Sequence, residues 1–275
     1  MEPGGIYVDG TVGLGGHSSE ILRRSTPDGV LIGFEWHKES YEYAKGRLEP
    51  FRGRYILVRE NFAYMKEILE QMGKVPVDGI LLDLGVSSFL FEGSGRGFSF
   101  KKEEPLDMRM DDRFSKTAKD LVNQLSPLQL EELIRSFGEE RFAYRIARAI
   151  CEARRKAPIR TSAELAQIIW RAVPARVRRG RIHPATRTFQ ALRMAVNREL
   201  ENLKWFLDEA PEILRPGGRL VIISFHSLED RIVKNAFRTD PRLKVLTKKP
   251  VVPTSEEVAR NPRARSAKLR AAERI

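Results

Sequence analysis

Apolar residues fall into short blocks over the first third of the chain and into three- and four-residue spacings after it. The blocks at 6–9, 30–35, 55–59 and 77–83 are rich in Ile, Val, Leu and Tyr and lie next to Gly or Pro, the pattern of buried strands. Helical spacing separates them at about 18–24, 38–48 and 62–72. Strand–helix alternation with short turns predicts a parallel sheet with helices on both faces. A fifth strand is predicted at 219–225, after the turn Arg215-Pro216-Gly217-Gly218. Segments 244–247 and 267–272 would add an antiparallel hairpin at the sheet edge, although the second of them equally suits a helix. From about 106 to 180 no strand pattern occurs. Leu130, Leu133, Ile134 and Phe137 share one helical face. In the next helix Phe142, Ile146 and Ile150 form a stripe, with Arg141, Arg145, Arg148 and Arg155 on another face. One long helix is predicted at 186–210, from Phe189, Leu192, Val196, Leu200, Leu203 and Leu207. The fold class is therefore α/β with a helical insertion: residues 1–105 and 186–275 form the core, and 106–185 the inserted domain.

Charge sharpens this division. The 275 residues carry a formal +12, concentrated in two places. Residues 141–187 hold thirteen Arg or Lys against two acids, and 242–274 hold ten against three, so the remainder is acidic by six charges. Two basic surfaces on an acidic body predict a polyanionic partner. A single cysteine, Cys151, excludes an internal disulfide and suits a reducing compartment. No apolar run of membrane-spanning length and no secretory signal occurs, so a cytoplasmic protein without membrane partners is expected. No Cys/His cluster has metal-ligand spacing, and no metal is expected.

The candidate chemistry gathers at the predicted strand ends. Strand one runs into Asp9-Gly10-Thr11-Val12-Gly13-Leu14-Gly15-Gly16-His17, whose glycines let backbone approach a ligand at a helix start. Their spacing is tighter than G-x-G-x-x-G. Glu35, ending strand two, can accept hydrogen bonds from both hydroxyls of a ribose. Phe62 either walls an adenine ring or joins the core. Asp83 ends strand four, followed by Ser87 and Ser88, which either assist Asp83 or cap a turn. Carboxylates at neighbouring strand ends converge on the crevice where open parallel sheets bind ligands. His17 either caps the glycine turn or meets the ligand. His226, between Ser224 and Ser227, suits a substrate pocket or packing. Asp107, Arg109 and Asp111 either line an entrance or bridge one another. A nicotinamide-dependent oxidoreductase and a non-catalytic RNA-binding assembly factor remain alternatives at this point. The glycine spacing and the basic surfaces weigh against the first.

Several longer segments carry a family resemblance: D-G-T-V-G-L-G-G-H-S from Asp9, V-D-G-I-L-L-D-L-G-V-S-S from Val77, E-P-L-D-M-R-M-D from Glu104, H-P-A-T-R-T-F-Q-A-L-R from His183 and I-I-S-F-H-S-L-E-D-R from Ile222. In this order they resemble the ribosomal RNA small-subunit methyltransferase H (MraW-type) family. The resemblance implies a Rossmann-like class I methyltransferase sheet, S-adenosylmethionine as methyl donor, and N4-methylation of a decoding-centre cytidine in 16S ribosomal RNA within the small ribosomal subunit. It places cofactor contacts at Gly15, Gly16, His17, Glu35, Phe62, Asp83 and Leu90. For such a reaction Asp83 with Ser87 stands where an acceptor on the amine belongs, and the charge pattern places RNA contacts at Arg109, Arg145, Arg148, Arg187 and His226, helped by the clusters at 154–156 and 178–181. Glu35 stands where the family usually has Asp, and Phe89-Leu90 where it usually has Pro-Gln. The family's H-x-P-V-L stretch ahead of strand one does not occur here. That implies a shortened chain or a cofactor pocket lacking one wall.

Overall fold

The computed structural model describes residues 1–180 and 182–275, and the side chains of Ser88 and Glu92 are not described. Two expectations, an assisting Ser88 hydroxyl and a phosphate contact at Arg181, lie outside the described residues. Seven strands form one sheet: β1 Ile6–Asp9, β2 Val30–Phe34, β3 Tyr55–Val58, β4 Val77–Asp83, β5 Leu214–Ser224, β6 Leu243–Val245 and β7 Lys268–Arg274, in the order β3-β2-β1-β4-β5-β7-β6. The first five run parallel, β7 runs antiparallel to β5, and β6 antiparallel to β7. The C-terminal segment is thus a strand, and the hairpin at the sheet edge forms.

Two-residue alternation explains the double burial of this sheet. Val8, Ile32, Phe34, Ile80 and Leu82 join Met65, Leu69, Phe206, Leu207 and Phe237 in one core. Their neighbours Tyr7 and Leu31 pack with Ile21, Leu22 and Leu48 on the other face. The helices Gly16–Arg24 and Lys38–Leu48 supply Ile21, Leu22 and Leu48. Because β1 lies between β2 and β4, the connections leaving β1 and β4 diverge, opening a crevice at their carboxyl ends.

Backbone contacts divide the chain into two compact units, Met1–Gly85 with Leu200–Ile275, and Val86–Glu199. The pattern placed the boundaries at 105/106 and 185/186. Local hydrogen bonds account for the displacement. Leu106 N donates to Arg160 O at 3.0 Å, Ser162 Oγ to Lys102 O at 2.8 Å, and Pro105 bridges Thr161. These tie the stretch around 102–106 into the helical unit. Helices Ala118–Gln124, Pro127–Gly138 and Ser162–Ala172 each begin on a capping box, from Thr117/Asp120, Ser126/Gln129 and Thr161/Glu164. Helix Ala143–Lys156 buries Ala143, Ile146, Ala147, Ile150 and Cys151 and leaves Arg141, Arg145, Arg148 and Arg155 around it exposed.

The predicted long helix is two, Ala185–Asn197 and Glu199–Ile213, parted at Arg198 with φ 52°. A left-handed residue other than glycine costs about 1–2 kcal/mol, and neither Gly nor Pro signals it. Asn197, fully buried, supplies compensation. Its Oδ1 accepts from Met110 N at 2.7 Å, and its Nδ2 donates to Met108 O at 2.8 Å and to Arg193 O at 2.9 Å. Among the described residues no helix is long and apolar enough to cross a membrane.

Candidate cofactor site

The turn after β1 is pinned on both flanks. Asp83 N donates to Thr11 Oγ1 at 2.6 Å and Gly10 N to Leu81 O at 2.9 Å, which ties the turn to β4. On the other side Val12 N donates to Phe34 O at 3.1 Å and Gly13 N to Glu35 Oε2 at 2.8 Å, which ties it to the end of β2. Gly13 and Gly15 take φ values of 55° and 78°, where a side chain would be strained. Gly15 is the N-cap of helix Gly16–Arg24 and offers no side-chain cap, so the first turn keeps N–H groups and partial positive charge for a ligand. Arg47 Nη1 adds a bond to Leu14 O at 3.3 Å.

Three carboxylates meet around this turn, each held differently. Asp9 is fully buried. Its Oδ2 accepts from Ser18 Oγ at 2.6 Å and its Oδ1 from Thr11 N at 3.1 Å. Burial holds its pKa above the ordinary carboxylate value against these hydrogen bonds, and Asp83 adds to the rise. Glu35 is 9% exposed, with Oε1 accepting from His37 N at 2.8 Å and Oε2 from Gly13 N. Burial pushes its pKa up to about 7, opposed by the backbone bonds and reinforced by Asp9. Trp36 N adds a third backbone bond, and the carboxylate keeps acceptor capacity for a hydroxyl donor.

Asp83 closes the group. Its Oδ2 lies 3.4 Å from His17 Nε2, a pair with side chains 32% and 52% exposed. Its Oδ1 is buried and has no hydrogen-bond partner. A buried carboxylate oxygen left unpaired is costly and calls for a donor. The hydrogen bond that His17 donates to Asp83 raises the His17 pKa, against partial burial and with help from the charges of Asp83 and Asp9. Phe62 starts the short turn Phe62–Tyr64 behind an Asn61 cap and meets Phe206 edge-on at 5.7 Å.

The other predicted residues have identifiable local partners. Ser87 caps the short helix Ser88–Glu92 through Leu90 N at 3.4 Å, and Leu90 is buried. Arg109 grips Asp107 with Nε and Nη2 at 2.7 and 2.8 Å and donates to Phe114 O, so the acid–base run bridges itself. Arg187 donates to Glu139 O at 3.0 Å, beyond the end of helix Pro127–Gly138. Of the predicted phosphate clusters, Arg154 is spent on Val122 O and Leu125 O, and Arg178 lies over the Trp170 ring at 4.3 Å. Arg145 and Arg148 are exposed, Arg148 pairing with Glu152 at 3.2 Å. His226 caps helix Ser227–Thr239 by accepting from Glu229 N at 3.4 Å, and its Nε2 stands 2.9 Å from Glu229 Oε1. Thr11, Ser18 and Arg47 escaped sequence reasoning, since their roles are hydrogen bonds that only the folded turn creates. Among the described residues no three His, Cys, Asp or Glu side chains are placed to hold a metal ion.

Comparison with known proteins matches residues 1–275 to the MraW methylase family. The ribosomal RNA small subunit methyltransferase H of Syntrophus aciditrophicus is 50% identical over 290 residues, covering 99% of this chain and 92% of the relative. The protein of the same name from Desulfotalea psychrophila is 50% identical over 275 residues, covering 100% and 93%. A crystal structure titled a putative rRNA-methylase from Clostridium thermocellum superposes with a TM-score of 0.50 at 12% identity, covering 100% of this chain and 91% of that one. That last likeness concerns the fold.

Proposed function

The chain belongs to the MraW methylase family, and on that premise we propose that it methylates the exocyclic N4 of a decoding-centre cytidine in 16S ribosomal RNA. It is a methyltransferase, and its methyl donor is S-adenosylmethionine. The nicotinamide alternative falls with family membership. The names carried by the relatives, ribosomal RNA small subunit methyltransferase H, support the substrate class.

The residues around the glycine turn fit the donor. One observation carries the reading: Asp9, Glu35 and Asp83 surround the turn, with a buried Asp83 oxygen awaiting a donor. Acidic groups around the crevice suit a cationic sulfonium, Asp83 through its charge and Glu35 once a bound donor draws off its proton. Glu35 would hold the ribose hydroxyls, the turn at Gly15, Gly16 and His17 the methionine end, and Phe62 a side of the adenine. When bound, S-adenosylmethionine supplies an electrophilic methyl group on a positively charged sulfur.

The work left to the protein is alignment and disposal of one proton. A cytosine amine is a poor nucleophile because its lone pair is delocalised into the ring. An acceptor on its N–H returns electron density to nitrogen as the new N–C bond forms, then takes the proton that nitrogen must lose. Asp83 fills this role in the proposal. His17, held on Oδ2, fixes the carboxylate's orientation.

Labelled S-adenosylmethionine, the enzyme and small ribosomal subunits provide the test, read by mass spectrometry of nucleosides from the recovered RNA. The expected product is N4-methylcytidine; label in another nucleoside, or none, removes the cytidine assignment. Arg145 and Arg148, on the exposed side of their helix, are proposed to bind phosphates without reading bases. Changing both to Glu is expected to weaken RNA binding and to flatten the slope of log K against log salt by about 1.5, the loss of two phosphate contacts. An unchanged slope would move the RNA surface elsewhere.

A further inference from the structure

We propose that a basic cavity at the β6–β7 edge of the sheet is a second RNA site, one that grips the phosphodiester backbone away from the reacting base. The inference rests on the reading of this chain as an RNA-modifying enzyme. The cavity, of about 450 Å³, is lined by Lys234, Arg238, Lys248 and Arg270 over an apolar floor of Phe237 and Val245. It belongs to none of the features that surround the glycine turn. Three interstrand spacings, β4 to β5 to β7 to β6, separate it from the crevice, roughly 15 Å across the sheet.

The charges divide into two kinds. Arg270 is buried and its charge is paired, with Nε donating to Asp230 Oδ1 at 2.7 Å, and Asp230 also meets Lys268 Nζ at 3.2 Å. Lys234, Arg238 and Lys248 are exposed. Among the described residues none of these three has a carboxylate within 4.0 Å. Lys234 and Arg238 also sit four residues apart on helix Ser227–Thr239, an arrangement of like charges that costs helix stability. Elsewhere on the surface basic side chains are paired at this spacing, as Arg24 with Glu20 and Arg260 with Glu256. Unpaired cations gathered from a helix and a loop around one concavity make a focused positive field.

The layout favours a polymer over a small anion. The charge of the one buried cation, Arg270, is matched by Asp230, so the unmatched positive charge lies with the three exposed residues. The free cations stand on the rim, where a strand can pass with its phosphates still partly hydrated.

The test uses the full-length protein and the triple variant Lys234→Gln, Arg238→Gln, Lys248→Gln, with small ribosomal subunits and a single-stranded 12-nucleotide RNA as probes. Three lost contacts are expected to flatten the slope of log K against log salt by about 2 and to weaken binding roughly tenfold at moderate salt. S-adenosylmethionine affinity should stay unchanged, which reports that the fold is intact. Lys248→Gln alone, on a loop, should give about a third of the slope change. Equal RNA affinity and slope in wild type and triple variant overturn the proposal. So does pyrophosphate binding that the variant loses while RNA binding is unaffected, which marks a small-anion site. If the wild type itself neither binds nor methylates small-subunit RNA, the functional reading fails instead, a different result from either.

Discussion

Replacing Asp83 by alanine is expected to cut methyl transfer by roughly 10²–10³-fold, the scale for losing one positioned group that stabilises the transition state. The fold should survive. Asp83 Oδ1 is buried without a partner, so its removal relieves a desolvation cost instead of orphaning a donor. The bond from Asp83 N to Thr11 Oγ1 is made by backbone and persists. What disappears is the contact with a half-exposed His17, and exposed pairs of this kind contribute at most about 1 kcal/mol. Lost turnover at an unchanged unfolding midpoint therefore reports chemistry, not unfolding. Asp83→Asn refines the result: it keeps an acceptor but cannot take up the proton, so it separates amine positioning from proton removal. The same variants should lower the His17 pKa, since the hydrogen bond to Asp83 is the largest cause of its rise. The wild-type His17 contribution to stability is complete below its unfolded pKa and fades as pH climbs through the raised folded value. In Asp83→Ala that dependence should vanish, and an NMR titration of the ring follows both effects. Near-normal turnover would remove Asp83 from the mechanism.

How much of this was readable in the chain depends on the range of the interaction. The strands 6–9 and 77–83 emerge with their predicted bounds because their apolar runs sit between glycines or prolines, a local signal. Glu35 and Asp83 flank the glycine turn as the pattern places them, because topology alone brings the ends of neighbouring strands together. The break at Arg198 was invisible, since the Leu spacing runs through it and the bonds that sustain it reach from Asn197 back to Met108 and Met110. The arginine clusters are only partly legible for a related reason. Sequence counts charge, but only the fold shows that Arg154 and Arg109 are consumed by backbone carbonyls and a carboxylate, while Arg145 faces solvent. Charge that is free to bind RNA is what remains after such internal pairing. By that measure Lys234, Arg238 and Lys248 count in full, and Arg154 does not.

Donor binding should depend steeply on pH through Glu35. Its pKa is raised from 4.5 to about 7 by burial, so the free protein holds a proton there that the unfolded chain would release. A raised folded pKa contributes stability that is full below the unfolded value and lost as pH rises toward 7, on the order of 3 kcal/mol for a shift of this size. The urea midpoint of the ligand-free protein should fall across that window, and the fall should be absent in Glu35→Ala. Ribose hydroxyls change the balance, because donors favour the ionised carboxylate and each charge-assisted bond stabilises it further. Binding then pulls the Glu35 pKa down, and affinity must rise by up to about tenfold per pH unit until pH 7, then level off. If the two hydroxyl bonds together are worth about a hundredfold, the rise begins near pH 5, two units below the free value. Glu35→Gln, which cannot ionise, should bind S-adenosylmethionine about a hundredfold more weakly at pH 8 and show no slope between pH 5 and 7. The two numbers are bound by linkage: the loss in the variant at high pH must equal the height of the wild-type step. Isothermal titration in buffers of different ionisation enthalpy measures both, as affinity and as protons released on binding at pH 6. A flat wild-type profile with no proton release would show that the ribose is held elsewhere, and that the buried carboxylate serves only to pin the glycine turn through Gly13 and His37.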